Sequence, residues 1–406
     1  MNTISDQRIS WWQKLRTENN RFRLVFLCSF ASLGSWMPGF NIWLQDQGMG
    51  GTAMGFLAAI PWLVMLLVQP FWGILADKTG KIYCFRLSVL LAALLFGIFP
   101  LLAKASMWIG IMTCCFAVFQ TPVLPLLDSI TLDHAAMDHT ISYSRLRFWG
   151  APGFGLGAWL TGILSTTYGS DVSFYLTAAF LLSAWLIARK LEPPPAVVAA
   201  ADLSFKGLGQ TLNNGILFSF LLVVMLVSIT QSASSFFLTV YMREIGAAAS
   251  ITGTAIGVQS LSELPFYFIA AWLLRKTNAG KVLVIAIWGT ALRFLLYYLN
   301  GNPYMVISIE SLNGITWTLL WISSVEFVNE KVPAQWRTTG QSLLWAMYFG
   351  AGAVAGNVLI GSLYETMPMR QIFGIFSIVV FITGIFSLLL FVKPSKTKPL
   401  MVQNVA

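Results

Sequence analysis

The chain has 406 residues, 57% hydrophobic and 10% charged, with a formal net charge of +9. Apolar runs recur along its whole length and leave no room for a soluble catalytic domain. Twenty-one of the 25 Lys and Arg lie in the tails and in alternate loops, so the basic balance records membrane topology and excludes a nucleic-acid partner.

Stretches of about twenty residues, each long enough to cross about 30 Å of hydrocarbon, predict twelve spans: 23–44, 53–76, 83–103, 107–130, 147–168, 172–189, 214–241, 252–274, 281–299, 303–327, 339–363 and 370–392. A tail at 1–22 precedes them and a tail at 393–406 follows. The longest break, 190–213, carries Glu192, a proline run and Lys206, and separates an N-terminal bundle (23–189) from a C-terminal one (214–392). The fold class expected is therefore all-α integral membrane, twelve helices in two six-helix bundles. The charge bias places both termini in the cytoplasm of a multi-pass protein of the cell (inner) membrane. No signal peptide is expected, because more than twenty polar-rich residues precede the first span. Cys28, Cys84, Cys114 and Cys115 fall in or beside spans and read as packing residues, with neither a disulfide set nor a metal site implied. No nucleotide-binding loop, Ser–His pair, aspartate pair or zinc spacing appears, so neither an enzyme nor a cofactor is expected.

The halves repeat. Gly153, Gly157 and Gly162 of the fifth span recur as Gly352, Gly356 and Gly361 of the eleventh, and Thr52-Ala-Met-Gly55 recurs as Thr254-Ala-Ile-Gly257. Two repeats joined by a linker place a solute site between them, near mid-membrane. Glycines at this spacing let helices approach closely.

At the end of the second span stands Gly73-Ile-Leu-Ala-Asp77-Lys78-Thr79-Gly80-Lys81. It resembles the loop 2–3 signature of the major facilitator superfamily. That resemblance implies the major facilitator fold, and a latch in which Asp77 and the basic groups break and remake contacts as the halves rock. Charges at membrane depth come next, since each is costly unless it has a task or a partner. Asp128 follows Pro122-Val-Leu-Pro125 and precedes Tyr143-Ser-Arg145-Leu-Arg147-Phe-Trp149-Gly150-Ala-Pro-Gly153-Phe154. This stretch resembles the oligosaccharide–proton symporters typified by lactose permease, and more closely the phenylpropionate permease and nucleoside–proton symporter groups. The resemblance implies that Asp128 and Arg147 hold the solute and that Phe154 stacks on it. Phenylalanine at that last position, where lactose permease has tryptophan, departs from galactoside specificity.

Further along, Gln259 and Glu263 lie one turn apart, Arg293 sits in the ninth span, and Glu310, Asn313, Trp317 and Trp321 share one stripe of the tenth. Relatives often carry histidine where Asn313 stands. The two histidines here, His134 and His139, are expected in loop 4–5, so coupling falls to carboxylates. Glu310 is expected to carry a proton that Arg293 helps load and release, with Glu263 linking solute and proton sites or carrying the proton itself; a static Glu263–Arg293–Glu310 bridge is the structural alternative. Trp36 of the first span, with Gln259, Asn313 and Trp317, completes the expected solute contacts. With one proton aboard the cavity charges cancel, which favours a neutral sugar, glycoside or nucleoside in proton symport, by a chain that needs no partner but solute, proton and bilayer. The alternatives are symport of a phenylpropanoid acid, a drug–proton antiporter, or a non-transporting sensor.

Overall fold

The computed structural model describes residues 3–103, 105–137, 142–192, 215–333 and 336–392, with side chains from residue 18 onward apart from that of Thr338. Every regular element among these residues is a helix. The N-terminal half comprises α1 (Thr3–Trp36), α2 (Phe40–Asp46), α3 (Gly51–Thr79), α4 (Lys81–Leu102), α5 (Ser106–Gln120), α6 (Val123–Met137), α7 (Tyr143–Arg147), α8 (Gly150–Tyr168) and α9 (Val172–Ala188). The C-terminal half comprises α10 (Gly215–Ser235), α11 (Leu238–Glu244), α12 (Ala249–Lys276), α13 (Ala279–Leu299), α14 (Met305–Lys331), α15 (Arg337–Trp345), a π-helical segment (Ala346–Gly352), α16 (Ala353–Tyr364) and α17 (Met369–Phe391).

Nine helices among the described residues are long and apolar enough to cross a membrane. Three more expected spans are present as helices that fall short of that mark. The helix α9 has only 17 residues, whereas α8 is rich in glycine and α12 carries Gln259 and Glu263 inside its apolar run. Two expected spans prove interrupted near prolines: the first between Trp36 and Phe40, at Pro38, and the fourth between Gln120 and Val123, at Pro122. A proline has no N–H to give the preceding turn, and the residue before it avoids the helical region. The seventh span breaks between Ser235 and Leu238, the counterpart of the Pro38 break, although no proline is there. The fourth span also continues to Met137, so His134 lies buried in a helix rather than in a loop, its ring stacked 4.5 Å from Phe22 and its Nε2 2.7 Å from Asn19 Oδ1. His139 and nearly all of the expected linker lie outside the described residues.

The repeat read from the glycines appears as pseudo-symmetric packing. A Cβ at Gly153 or Gly157 would strike the backbone of Leu27 or Ala31 in α1, and one at Gly356 the backbone of Ile229 in α10, all within one half. Gly162 and Gly361 instead face the opposite half. A Cβ at Gly162 would come within 2.7 Å of Gly253 Cα, and one at Gly361 within 2.7 Å of Gly55 Cα. Thus α8 crosses α12, and α16 crosses α3, at backbone contact. These two seams join the halves.

Both seams lie toward one end, away from the end that carries residues 18–23 and 391. At that far end the halves also share polar contacts. Arg243 pairs with Asp46 at 2.7 Å and bonds Gln45 at 3.1 Å. Gln45 bonds the Tyr364 hydroxyl, Thr239 donates to the Pro38 carbonyl at 2.8 Å, and Glu365 accepts the Thr52 N–H at 2.9 Å, at the N-terminus of α3. Deeper in, Ser260 donates to the Ala151 carbonyl at 2.6 Å. Toward the terminus end beyond that bond, no hydrogen bond or ion pair joins the halves among the described residues. Backbone crossings and polar contacts thus join the two bundles at the far end.

Candidate functional site

Between the halves, α6, α7 and α12 bring together polar groups that the sequence places more than a hundred residues apart. Arg147 forms an ion pair with Asp128 through Oδ2 and donates to the Tyr143 hydroxyl at 2.7 Å, with its guanidinium 5.8 Å from the Phe30 ring centre. Tyr143 sits one turn before Arg147, so helical spacing alone delivers its hydroxyl. The side chains of Arg147 and Asp128 remain 38% and 26% exposed, so the pair borders open space rather than being walled in. Asp128 Oδ1, by contrast, is buried without a partner. A buried acceptor left unpaired costs about 1–3 kcal/mol, so an oxygen kept in this condition suits a ligand that donates to it.

From the other half, Gln259 and Glu263 lie half-buried on α12. Neither side chain has a hydrogen-bond partner among the described residues. Tyr267, one turn on, lies within electrostatic reach of both Glu263 and Arg147, which marks the face of α12 that looks toward α7. The next wall is aromatic. Trp317 and Trp321 stack at 5.7 Å, Phe349 stands 6.1 Å and 5.2 Å from them, and Trp62 from the N-terminal half stacks on Phe349 at 5.7 Å. Phe349 and Tyr348 ride on the π-helical segment, whose wider turn re-aims side chains and which recurs at functional sites.

A second polar group lies inside the C-terminal half. Arg293 and Glu310 are both fully buried. No ion pair joins them, and none joins Arg293 to Glu263, among the described residues, so the static Glu263–Arg293–Glu310 bridge weighed as the structural alternative is not formed there. Arg293 Nη2 donates to Gln231 Oε1 at 2.5 Å and to Ser234 at 3.3 Å, while its Nε and Nη1 have no partner. Glu310 Oε1 is bonded by the Tyr297 hydroxyl and Oε2 by Asn313 Nδ2 at 3.0 Å. Asn313 Oδ1 in turn accepts from Gln231 Nε2 at 3.4 Å. The two polar groups meet at Gly314, where a Cβ would touch Gln259 O at 2.6 Å and Glu263 N at 3.0 Å. Only glycine lets α14 lie this close to α12, beside Asn313.

Comparison with known proteins now bears on this arrangement. The sequence profile of the MFS_1 like family matches residues 20–375. The chain belongs to the MFS_1 like family. Among its relatives, the maltose permease of Geobacillus stearothermophilus is 27% identical over 93% of this chain and 95% of its own. The probable 3-phenylpropionic acid transporter of Escherichia coli (strain K12) is 23% identical over 84% of this chain and 90% of its own. The crystal structure of the nucleoside transporter NupG superimposes with a TM-score of 0.80 at 20% identity, covering 94% of this chain and 99% of that one. The major facilitator fold and membrane transport class expected from the sequence therefore hold, and the protein is a multi-pass transporter, not an enzyme.

Within this MFS_1 like fold, the expected solute residues part company. Asp128 and Arg147 pair with each other, Gln259 lies one turn before Glu263 on the helix whose Tyr267 is within electrostatic reach of Arg147, and Trp317 stands in the aromatic wall. Phe154, half-buried seven residues after Arg147, packs by its backbone against Gly34 of α1. Trp36 is 3% exposed, held among Phe40, Phe96, Phe116 and Phe236 at 5.2–6.4 Å, so its ring is core and lines no open surface. Asn313 is a buried member of the Glu310 group. Of the latch residues, Lys81 pairs with Asp133 of its own half at 2.6 Å and Gly80 takes φ +99 between α3 and α4. Asp77 and Lys78 are exposed and bond nothing among the described residues, and a Cβ at Gly73 would meet open space. The sequence reading named Tyr143 only as part of the motif, with no role, and missed Tyr267, Trp62, Tyr297 and Tyr348. Tyr297 was the most accessible of these, four residues after Arg293 on the same helical face.

Proposed function

We propose that this protein is a proton-coupled symporter working by alternating access, with a small neutral solute bearing hydroxyl groups and a ring as its cargo. The observation that carries the reading is an acceptor-rich, cation-poor site: Asp128 Oδ1 is orphaned, Glu263 has no hydrogen-bond partner among the described residues and shares the neighbourhood of Tyr267 with Arg147, and Arg147 is already engaged by Asp128 and Tyr143. Hydroxyls can donate to both carboxylates, whereas a carboxylate solute would meet two like charges. The Trp317–Trp321–Phe349 wall offers faces on which a sugar or nucleobase ring stacks. Sugar and nucleoside permeases among the relatives accord with that chemistry.

With both termini cytoplasmic, the sealed far end faces outward and the cleft opens inward. Asp77, Lys78 and Gly73 then stand free in this state and engage across the terminus end in the other. Glu310, linked to the solute cleft through the Gly314 crossing, takes the proton, and Glu263 couples the cleft to it. One chain forms the whole pathway in the inner membrane. The probable 3-phenylpropionic acid transporter among the relatives supports a second reading, in which the buried and partly unpaired Arg293 accepts a carboxylate.

Lightly buffered, de-energised cells expressing the protein test this directly. External pH is expected to rise on adding a disaccharide or nucleoside, and Glu310→Gln to abolish that rise, and in energised cells uphill accumulation as well, while keeping solute exchange. A pH change confined to aromatic acids, beyond their passive entry, would replace the neutral-solute reading. Uphill transport at the normal level by Glu310→Gln would remove that residue from the proton path.

A further inference from the structure

The buried polar group contains a directional device. Arginine can only donate, so its bond fixes the near end of the Gln231 side chain as the oxygen, Oε1. The far end of Gln231 is then the amide N–H₂, and the atom of Asn313 that receives it, at 3.4 Å, must be Oδ1. That in turn leaves Asn313 Nδ2 facing Glu310 Oε2, at 3.0 Å. Neither amide can flip without setting two donors or two acceptors against each other. The cation on α13 thus dictates that the acid on α14 is met, on its Oε2 side, by a donor. The partner on the other oxygen is different in kind. The Tyr297 hydroxyl can donate to a carboxylate or accept from a carboxylic acid by rotating about its C–O bond. The proton of Glu310 therefore has one place, Oε1, and leaves or arrives on the Tyr297 side.

We infer that Gln231 is a positioning residue for proton coupling: by bridging Arg293 to Asn313 it orients the amide that holds Glu310 Oε2, and so favours release of the proton from Oε1 past Tyr297. This inference rests on Glu310 being the coupling acid. Other charged and titratable groups around Glu310 do not supply the same bias. From α13 come Arg293 and Tyr297 themselves, and from α11 comes Tyr241, whose hydroxyl is committed to the Tyr297 carbonyl at 2.9 Å. Tyr348, on the π-helical segment, lies toward Arg293, and Glu263 of α12 lies across the Gly314 crossing toward Tyr267 and Arg147. No titratable side chain occurs on α10, and Arg370 at the far end is the only charged one on α17.

Gln231→Glu reverses the relay. A carboxylate satisfies Arg293 but no longer donates to Asn313, which turns its N–H₂ toward residue 231 and its Oδ1 toward Glu310. An acceptor facing Oε2, with the arginine charge neutralised, holds the proton on. Net solute-driven proton movement is expected to slow at neutral pH and to recover at higher pH, the whole profile moving up by about one pH unit, a tenfold change in proton affinity. Solute exchange, which requires no proton release, is expected to continue. Asn313→Leu and Gln231→Leu cut the same chain from either end and are expected to move the profile in the same direction, with no further movement in the double variant, as members of one path. A higher KM in all three single variants with an unmoved pH profile would overturn the inference and make Gln231 a solute contact. The two failures separate cleanly. Uphill transport by Glu310→Gln removes the coupling reading, whereas loss of it in Glu310→Gln beside an unmoved profile in Gln231→Glu removes only the relay.

Discussion

A single methyl group at Gly361 is expected to tilt the alternating-access equilibrium. Its Cβ would lie 2.7 Å from Gly55 Cα and 2.9 Å from Gly55 N, and would also strike the Gly51 carbonyl, all backbone atoms that cannot rotate away. Separating α16 from α3 at that seam costs about 1–3 kcal/mol, the usual range for overpacking a well-packed contact. The whole of it falls on the conformation in which the far end is sealed. At about 1.4 kcal/mol per tenfold, Gly361→Ala should raise the population open at the far end by roughly five- to 150-fold. Ser165 lines a cleft of about 280 Å³ that Asp46 and Arg243 also line, so a label there is expected to report on that population. In a background without Cys28, Cys84, Cys114 and Cys115, Ser165→Cys is expected to react faster with a membrane-impermeant maleimide added outside whole cells once Gly361→Ala is present. Gly162→Ala should do the same through the pseudo-symmetric seam, and the two should add, since they share no contact. Gly153→Ala strains α8 against α1 within one half and should lower expression without raising the labelling rate. Unchanged or slower labelling in both seam variants would refute the assignment of these glycines to the far-end seal.

Three further outcomes follow from the same structure. Loss of the Glu365 carboxylate from the α3 N-terminus in Glu365→Gln should weaken the seal by about 0.3–1 kcal/mol, read as a two- to fivefold faster labelling at Ser165→Cys. Burial raises the Glu244 carboxyl above the ordinary carboxylate range, against the opposing bonds from Met369 N, Tyr364 and Arg370 N. The sealed end therefore binds this proton more tightly than an opened, hydrated one. Its contribution is complete below the ordinary carboxylate range and fades as pH rises through the raised value, so mild acid should slow the labelling, and Glu244→Gln should flatten that dependence. Tyr143→Phe removes the hydroxyl 2.7 Å from Arg147; for a partly exposed site the loss is about 1 kcal/mol, seen as a KM roughly fivefold higher with little change in kcat.

Much of this architecture was legible in residue order alone. Apolar length gave the helices because a bilayer offers no other partner for backbone N–H and C=O groups, and the 199-residue glycine repeat gave the two halves because only glycine permits helices to touch backbone to backbone. Asp128 and Arg147 could be paired from sequence because opposite charges nineteen residues apart at membrane depth have few other partners. Partner choice among distant helices was beyond it. Whether Arg293 meets Glu310 or Gln231 depends on the rotation of α10, α13 and α14 about their axes, and a modest roll carries a side chain from one neighbour to the next. The same rotation buries Trp36 among Phe40, Phe96 and Phe116 of its own half and Phe236 of the other, and sets Trp317 in the aromatic wall with Trp321 and Phe349, although each stands on a stripe of similar polarity. Sequence sets which faces are apolar and where a helix must break at proline. Only the packed tertiary structure decides which two faces touch, because that choice is made by shape and by the sum of many weak contacts rather than by any one residue.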